Sequence, residues 1–156
     1  MLLQILMLSV VTATTGLTGV KYGAPPPDVP LPIGTGSERV TAYHGKVVIL
    51  HFWATWCHYC LDELPKFAKL KQTYGKRVAV ITVSNEPPDV AASYLRLWNM
   101  ELPIVEDTSS TVFKAYGIGP LPDTVVVDRD GAVVYAEVGV SNFDDLRKAI
   151  EQALGP

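Results

Sequence analysis

The chain holds two cysteines, Cys57 and Cys60, and they stand where a short apolar run gives way to an amphipathic stripe. Val47 to Phe52 is β-branched and aromatic, which predicts a buried strand. After it, Leu61, Leu64, Phe67 and Leu70 recur at helical spacing with Lys and Glu between them. This predicts a helix over 60–74, bent at Pro65 and ended by Gly75. A disulfide across two intervening residues closes too small a loop to restrain an unfolded chain much, so the pair points to chemistry or to metal. Zinc wants four ligands, and the three histidines show no H-x-x-x-H spacing to complete such a set. A strand-to-helix junction, by contrast, suits a thiolate, because unpaired amides and the helix dipole favour negative charge there. Cys57 at that end would attack a partner's disulfide, and Cys60, one turn in and better covered, would resolve the mixed disulfide.

The remaining periodicities continue an alternating pattern. Val78 to Val83 predicts a second buried strand, and Ala91 to Met100 a helix with Asp89 as its N-cap. Tyr94, Leu95 and Trp98 are expected in its core face. Strand, helix, strand, helix implies parallel pairing through right-handed crossovers. Thr124 to Val127, the turn at 128–131 and Ala132 to Val138 then read as an antiparallel hairpin. Ser141 with Asp144 three residues on predicts a helix start of capping-box type, followed by the apolar face Phe143, Leu146, Ile150 and Leu154. The expected class is therefore α/β with a central mixed sheet. At 156 residues the chain suits one domain, and its net charge of −3, with no run of Lys and Arg, argues against nucleic acid as a partner.

The N-terminus differs from the rest. Leu2 to Val11 is apolar apart from Gln4 and Ser9, and Val11 and Ala13 suit the small-residue positions before a cleavage point. No Lys or Arg precedes the run, and residues 1–20 are long enough to span a bilayer. Residues 1–21 are thus expected to be a signal peptide or an N-terminal membrane anchor, placing the rest in the periplasm or another extracytoplasmic space. Prolines at 25, 26, 27, 30 and 32 make residues 22–36 an extended linker and domain entry. A short strand pair is expected around Ile33 to Tyr43, with Gly34 and Gly36 turning, and residues 37–156 form the domain.

The stretch Phe52-Trp53-Ala54-Thr55-Trp56-Cys57-His58-Tyr59-Cys60 resembles the active-site segment of the thioredoxin superfamily, and its TlpA-like branch above all. Gly45-Lys46-Val47-Val48, Glu63 with Pro65, and Tyr116-Gly117-Ile118-Gly119-Pro120-Leu121-Pro122 match the same branch, so the likeness runs over roughly residues 24–154. It implies a thioredoxin-like three-layer fold with helices on both faces of the sheet. It also implies an exported, often tethered, monomeric thiol–disulfide oxidoreductase without cofactor or metal, a class that includes proteins serving cytochrome c maturation. The implied partners are protein disulfides or dithiols and a membrane or periplasmic electron-transfer protein.

By the same resemblance Pro122 is the cis-proline facing the dithiol, leaving the Leu121 backbone open to strand-like pairing with a partner chain. Glu63 matches a glutamate that handles protons in some members; the other reading is a solvated acid at a helix start. Trp53 is expected beneath the site and Trp56 at its surface, against partners. His51 stands where thioredoxin carries aspartate and TlpA-like proteins commonly asparagine. It is either a base for Cys60 or a hydrogen-bonded core residue that burial keeps neutral. His58, if protonated beside Cys57, would favour the thiolate and a more oxidising disulfide; turned to solvent it would not. His44 is expected in a solvated loop. The competing readings are a copper-handling chaperone and a thiol peroxidase on the same fold. The former uses a wider cysteine spacing and a downstream histidine, both lacking here. Reductase and oxidase share these residues, and the family analogy leans to a reductase.

Overall fold

The structure, a computed structural model, describes residues 17–156. Among these residues the strands are β1 (Leu31–Ile33), β2 (Gly36–Glu38), β3 (Val47–Phe52), β4 (Val78–Ser84), β5 (Ile104–Glu106), β6 (Asp123–Val127) and β7 (Val133–Val138). The helices are α1 (His58–Tyr74), α2 (Val90–Leu97), α3 (Thr111–Tyr116) and α4 (Phe143–Leu154). They form one mixed sheet in the order β2-β1-β5-β4-β3-β6-β7. β3 lies inside it, parallel to β4 and antiparallel to β6, and every one of its residues is buried. A strand covered on both faces needs an unbroken apolar run, which is what Val47 to Phe52 supplies.

Two apolar layers enclose the sheet. Leu64, Phe67 and Leu70 of α1 pack with Leu95 of α2 and with Leu146 and Ile150 of α4 on one side. Val112, Phe113 and Tyr116 of α3 pack with Leu17, Val20 and Val40 on the other. This is the thioredoxin-like three-layer arrangement. No helix among the described residues is long and apolar enough to cross a membrane.

The domain reaches further toward the N-terminus than residue 37. The proline-rich stretch is woven into the fold. β1 pairs with β2 and β5, so the strand pair falls at 31–38. Before it, the Gly23 amide donates to the Val133 carbonyl at 2.8 Å and the Val133 amide to that of Ala24 at 2.9 Å. The Tyr22 hydroxyl donates to the Ala136 carbonyl and accepts from the Ala136 amide. Leu17 and Val20 are only 1% and 3% exposed. Two glycines allow this strap to lie backbone to backbone against the end of α3. A Cβ on Gly19 would stand 2.0 Å from the Ala115 carbonyl oxygen, and one on Gly117 would stand 2.2 Å from Thr18 Oγ1. Of the expected signal or anchor, residues 1–16 lie outside the described residues.

Three local expectations change. Asn142, not Ser141, caps α4, accepting from the amides of Asp144 and Asp145. Asp89 precedes α2 in the left-handed region (φ 68°) without a capping hydrogen bond, its carboxylate instead taken by Ser93 and Arg96. Trp98 falls beyond the end of α2 and is 60% exposed, because the helix stops at Leu97.

Candidate active site

β3 delivers the chain to the site at Phe52, and residues 53–57 turn it into α1. Trp53, fully buried, anchors the turn, and its amide donates to the Val83 carbonyl on β4 at 3.0 Å. Cys57 is the N-cap of α1, its Sγ accepting from the Cys60 amide at 3.3 Å. Cys57 and Cys60 are joined as a disulfide. Cys57 is 6% exposed and Cys60 is sealed. Of the two cysteines only the first keeps any exposed surface. Trp56 and Tyr59 stand 72% and 64% exposed on either side, large apolar surface left bare next to the reactive atom. His58 is exposed, with its Nε2 3.8 Å from the carboxylate of Asp62, the residue one turn on.

The loop before β6 supplies the facing wall. The Leu121–Pro122 bond is cis. Leu121 and Trp56 line one cleft of about 240 Å³ together with Phe113, Lys114 and Ile118. Nucleophile loop and proline loop thus border the same opening.

A chain of buried polar groups joins α1 to β6 and β3 through the loop before α4. Glu63 is 1% exposed, which rules out the solvated reading. Its Oε1 accepts from the Ser141 amide at 2.7 Å while Oε2 has no partner. Burial raises its pKa, partly offset by the bonds to Ser141. Ser141 Oγ lies 3.0 Å from Thr124 Oγ1, which in turn lies 3.1 Å from His51 Nδ1. The His51 ring packs on Phe67, with centroids 4.1 Å apart, and its Nε2 is unpaired. Complete burial lowers its pKa to about 3, so the ring is neutral at physiological pH and is a poor base. Of the two readings for His51, the structure favours the hydrogen-bonded core residue.

Asp123 is a residue that sequence reasoning missed. It follows Pro122, sits opposite Phe52 in the sheet register, and is fully buried. Its Oδ1 accepts from the Gly139 amide at 3.2 Å, and Oδ2 has no partner. The available signal was an acid heading an otherwise apolar strand directly after the loop proline. Burial pushes its pKa up to about 6, against the opposing pull of the Gly139 and Gly119 amides. An unfolded aspartate ionises near 3.9. Below about pH 4 both states hold the proton and nothing is lost; as pH rises through 6 the folded state must ionise a buried group. Asp123 therefore lowers stability progressively from pH 4 to 7, by roughly 3 kcal/mol at most. Asp123→Asn should remove that slope. Thermal melts should show the variant gaining on the wild type between pH 4.5 and pH 7.5; a constant difference would contradict the assignment.

Among the described residues no group of three or more His, Cys, Asp or Glu is placed to hold a metal. What the arrangement can do is transfer two electrons between its sulfurs and another disulfide.

The comparisons agree with this chemistry. The AhpC/TSA family model matches residues 22–136. The chain is similar to the thiol-disulfide oxidoreductase ResA of Geobacillus thermodenitrificans, 36% identical over 140 residues that cover 88% of this chain and 80% of the relative. The ResA protein of Geobacillus kaustophilus is 34% identical over the same shares. Among solved structures, a Chlorobium tepidum protein described as a thiol:disulfide interchange protein DsbE superposes with a TM-score of 0.78 at 30% identity, covering 87% of this chain and 99% of its own.

Proposed function

Because the chain belongs to the AhpC/TSA family of thioredoxin-fold proteins and is a thiol–disulfide oxidoreductase, we propose that it acts as an extracytoplasmic reductase of protein disulfides. The resemblance of its active-site segment to the TlpA-like branch is consistent with these relatives. In each cycle the Cys57 thiolate attacks one sulfur of a partner's disulfide, and the leaving partner sulfur takes up a proton. The Cys60 thiolate then attacks Cys57 Sγ and releases the second partner thiol. Two electrons and two protons pass to the partner, and the Cys57–Cys60 disulfide remains. A dithiol protein of the membrane or periplasm resets it by the reverse exchange.

The observation that carries the direction is the charge around the sulfurs. Glu63 is buried on α1 with Cys60, and the His58 ring next to Cys57 lies 3.8 Å from the Asp62 carboxylate, held by an acid instead of by a sulfur. A thiolate without a fixed cation is less stabilised, and a less stabilised reduced form makes a stronger reductant. The apolar stretch at the N-terminus supports export, with residues 1–21 as cleaved signal or retained tether. Trp56, Leu121 and Pro122 form the docking edge for the partner chain. Cytochrome c maturation is the setting that the family resemblance implies.

Equilibration with glutathione tests the direction. The reduction potential is expected near that of thioredoxin, about −270 mV; a value near the strongly oxidising end, about −120 mV, would make the protein an oxidase.

A further inference from the structure

The turn that presents Cys57 is held from outside by a single side chain. Glu86, just past the end of β4, accepts from the Thr55 amide through Oε2 at 2.9 Å and from the Thr55 hydroxyl through Oε1 at 2.6 Å. Its Oε2 also accepts from the Ser84 hydroxyl at 3.0 Å, and Ser84 is itself buried. The Glu86 amide donates back to Ser84 Oγ at 3.3 Å, which fixes the carboxylate's own backbone. Thr55 lies within the turn that the Cys57 amide closes by donating to the Ala54 carbonyl at 3.1 Å. Three donors thus satisfy the carboxylate. No Lys, Arg or His forms an ion pair with it among the described residues. The carboxylate is fastened to the residue two ahead of the nucleophile, without an ion-pair partner among the described residues.

We infer that Glu86 is a positioning residue that locks the Thr55–Trp56 turn in front of Cys57 and, by its charge, biases the dithiol toward the reducing side. The bias follows from electrostatics. The reduced protein carries the Cys57 thiolate, the disulfide carries no charge there, and a nearby carboxylate therefore penalises only the reduced form. The clamp has a second effect, because a turn held at both its amide and its hydroxyl presents Cys57 without reorganisation when a partner arrives. This inference deepens the reductase reading and rests on it. The wild-type equilibrium with glutathione tests that reading, whereas the ratio between variant and wild type tests the role of Glu86.

The experiment measures the constant for oxidation of the reduced full-length protein by glutathione disulfide, in which one protein disulfide and two glutathione thiols form. Glu86→Gln keeps an oxygen acceptor for Thr55 and removes the charge. It should lower that constant about fivefold, the order expected of one charge acting across a partly solvated gap. Thr55→Val removes one hydrogen bond and leaves the charge; it should slow exchange with a disulfide substrate and keep the constant within about twofold. Asn85→Asp adds a second carboxylate beside the first and should raise the constant by about the same factor, whether or not the glutamine variant folds. An unchanged constant in Glu86→Gln, a shift in Thr55→Val as large as that expected of the charge change, or no response to Asn85→Asp would each overturn the inference.

Discussion

Serine at position 57 should abolish disulfide exchange, while serine at position 60 should leave the first attack intact and strand the protein on its partners. The difference follows from burial. Cys57 keeps 6% exposure and Cys60 none, so the second thiol is not expected to replace the first. A serine hydroxyl ionises too weakly to attack a disulfide, and Cys57→Ser should lower the turnover of a model protein disulfide by at least about a thousandfold. Cys60→Ser should accumulate mixed disulfides with partner proteins that reducing agent dissolves on a gel. Equal residual activity in the two variants would refute the division of labour.

The second large effect is structural. Gly19→Val should cost roughly 3 kcal/mol and lower the melting temperature by about 6–12 °C in a domain of this size. The Ala115 carbonyl stands where the new Cβ would be, and both partners are backbone, so neither can turn aside. Either the end of α3 shifts, or the strap lifts and exposes Leu17 and Val20. Gly119→Ala is the control: its backbone is ordinary and nothing lies within 4 Å of the added carbon, so its melting temperature should hold within about 2 °C. Similar losses in both variants would mean that the strap contributes nothing.

The strap also marks the limit of reading this chain by pattern. The central strands, the long helix and the hairpin carry strong periodicities, because each has a buried face to fill, and they were legible. The dithiol was legible for a related reason: a cysteine pair at a strand-to-helix junction has few uses. Leu17 and Val20 were absorbed into an apolar N-terminal run, and composition alone does not tell a leader from a core segment that continues it. Ser141 had the right chemistry for a cap and the wrong place. Its amide goes to Glu63 and its hydroxyl to Thr124, so Asn142 takes the helix. That choice depends on which residue faces the interior, a tertiary fact. Asp123 was hidden for the same reason, since its meaning comes from Phe52 opposite and Gly139 beside it. Glu86 lies 31 positions from the residue it clamps, a pairing that no local pattern contains.

The Tyr22 hydroxyl at the margin of β7 bears on how the protein behaves in a crowd. An outermost strand offers free amides and carbonyls that any extended chain can join. One phenol satisfies both groups of Ala136, and Gly23 with Ala24 satisfies those of Val133. The sheet margin is thereby closed to stacking and fibre growth along that stretch. An edge sealed in this way gives no template on which a second chain could extend the sheet.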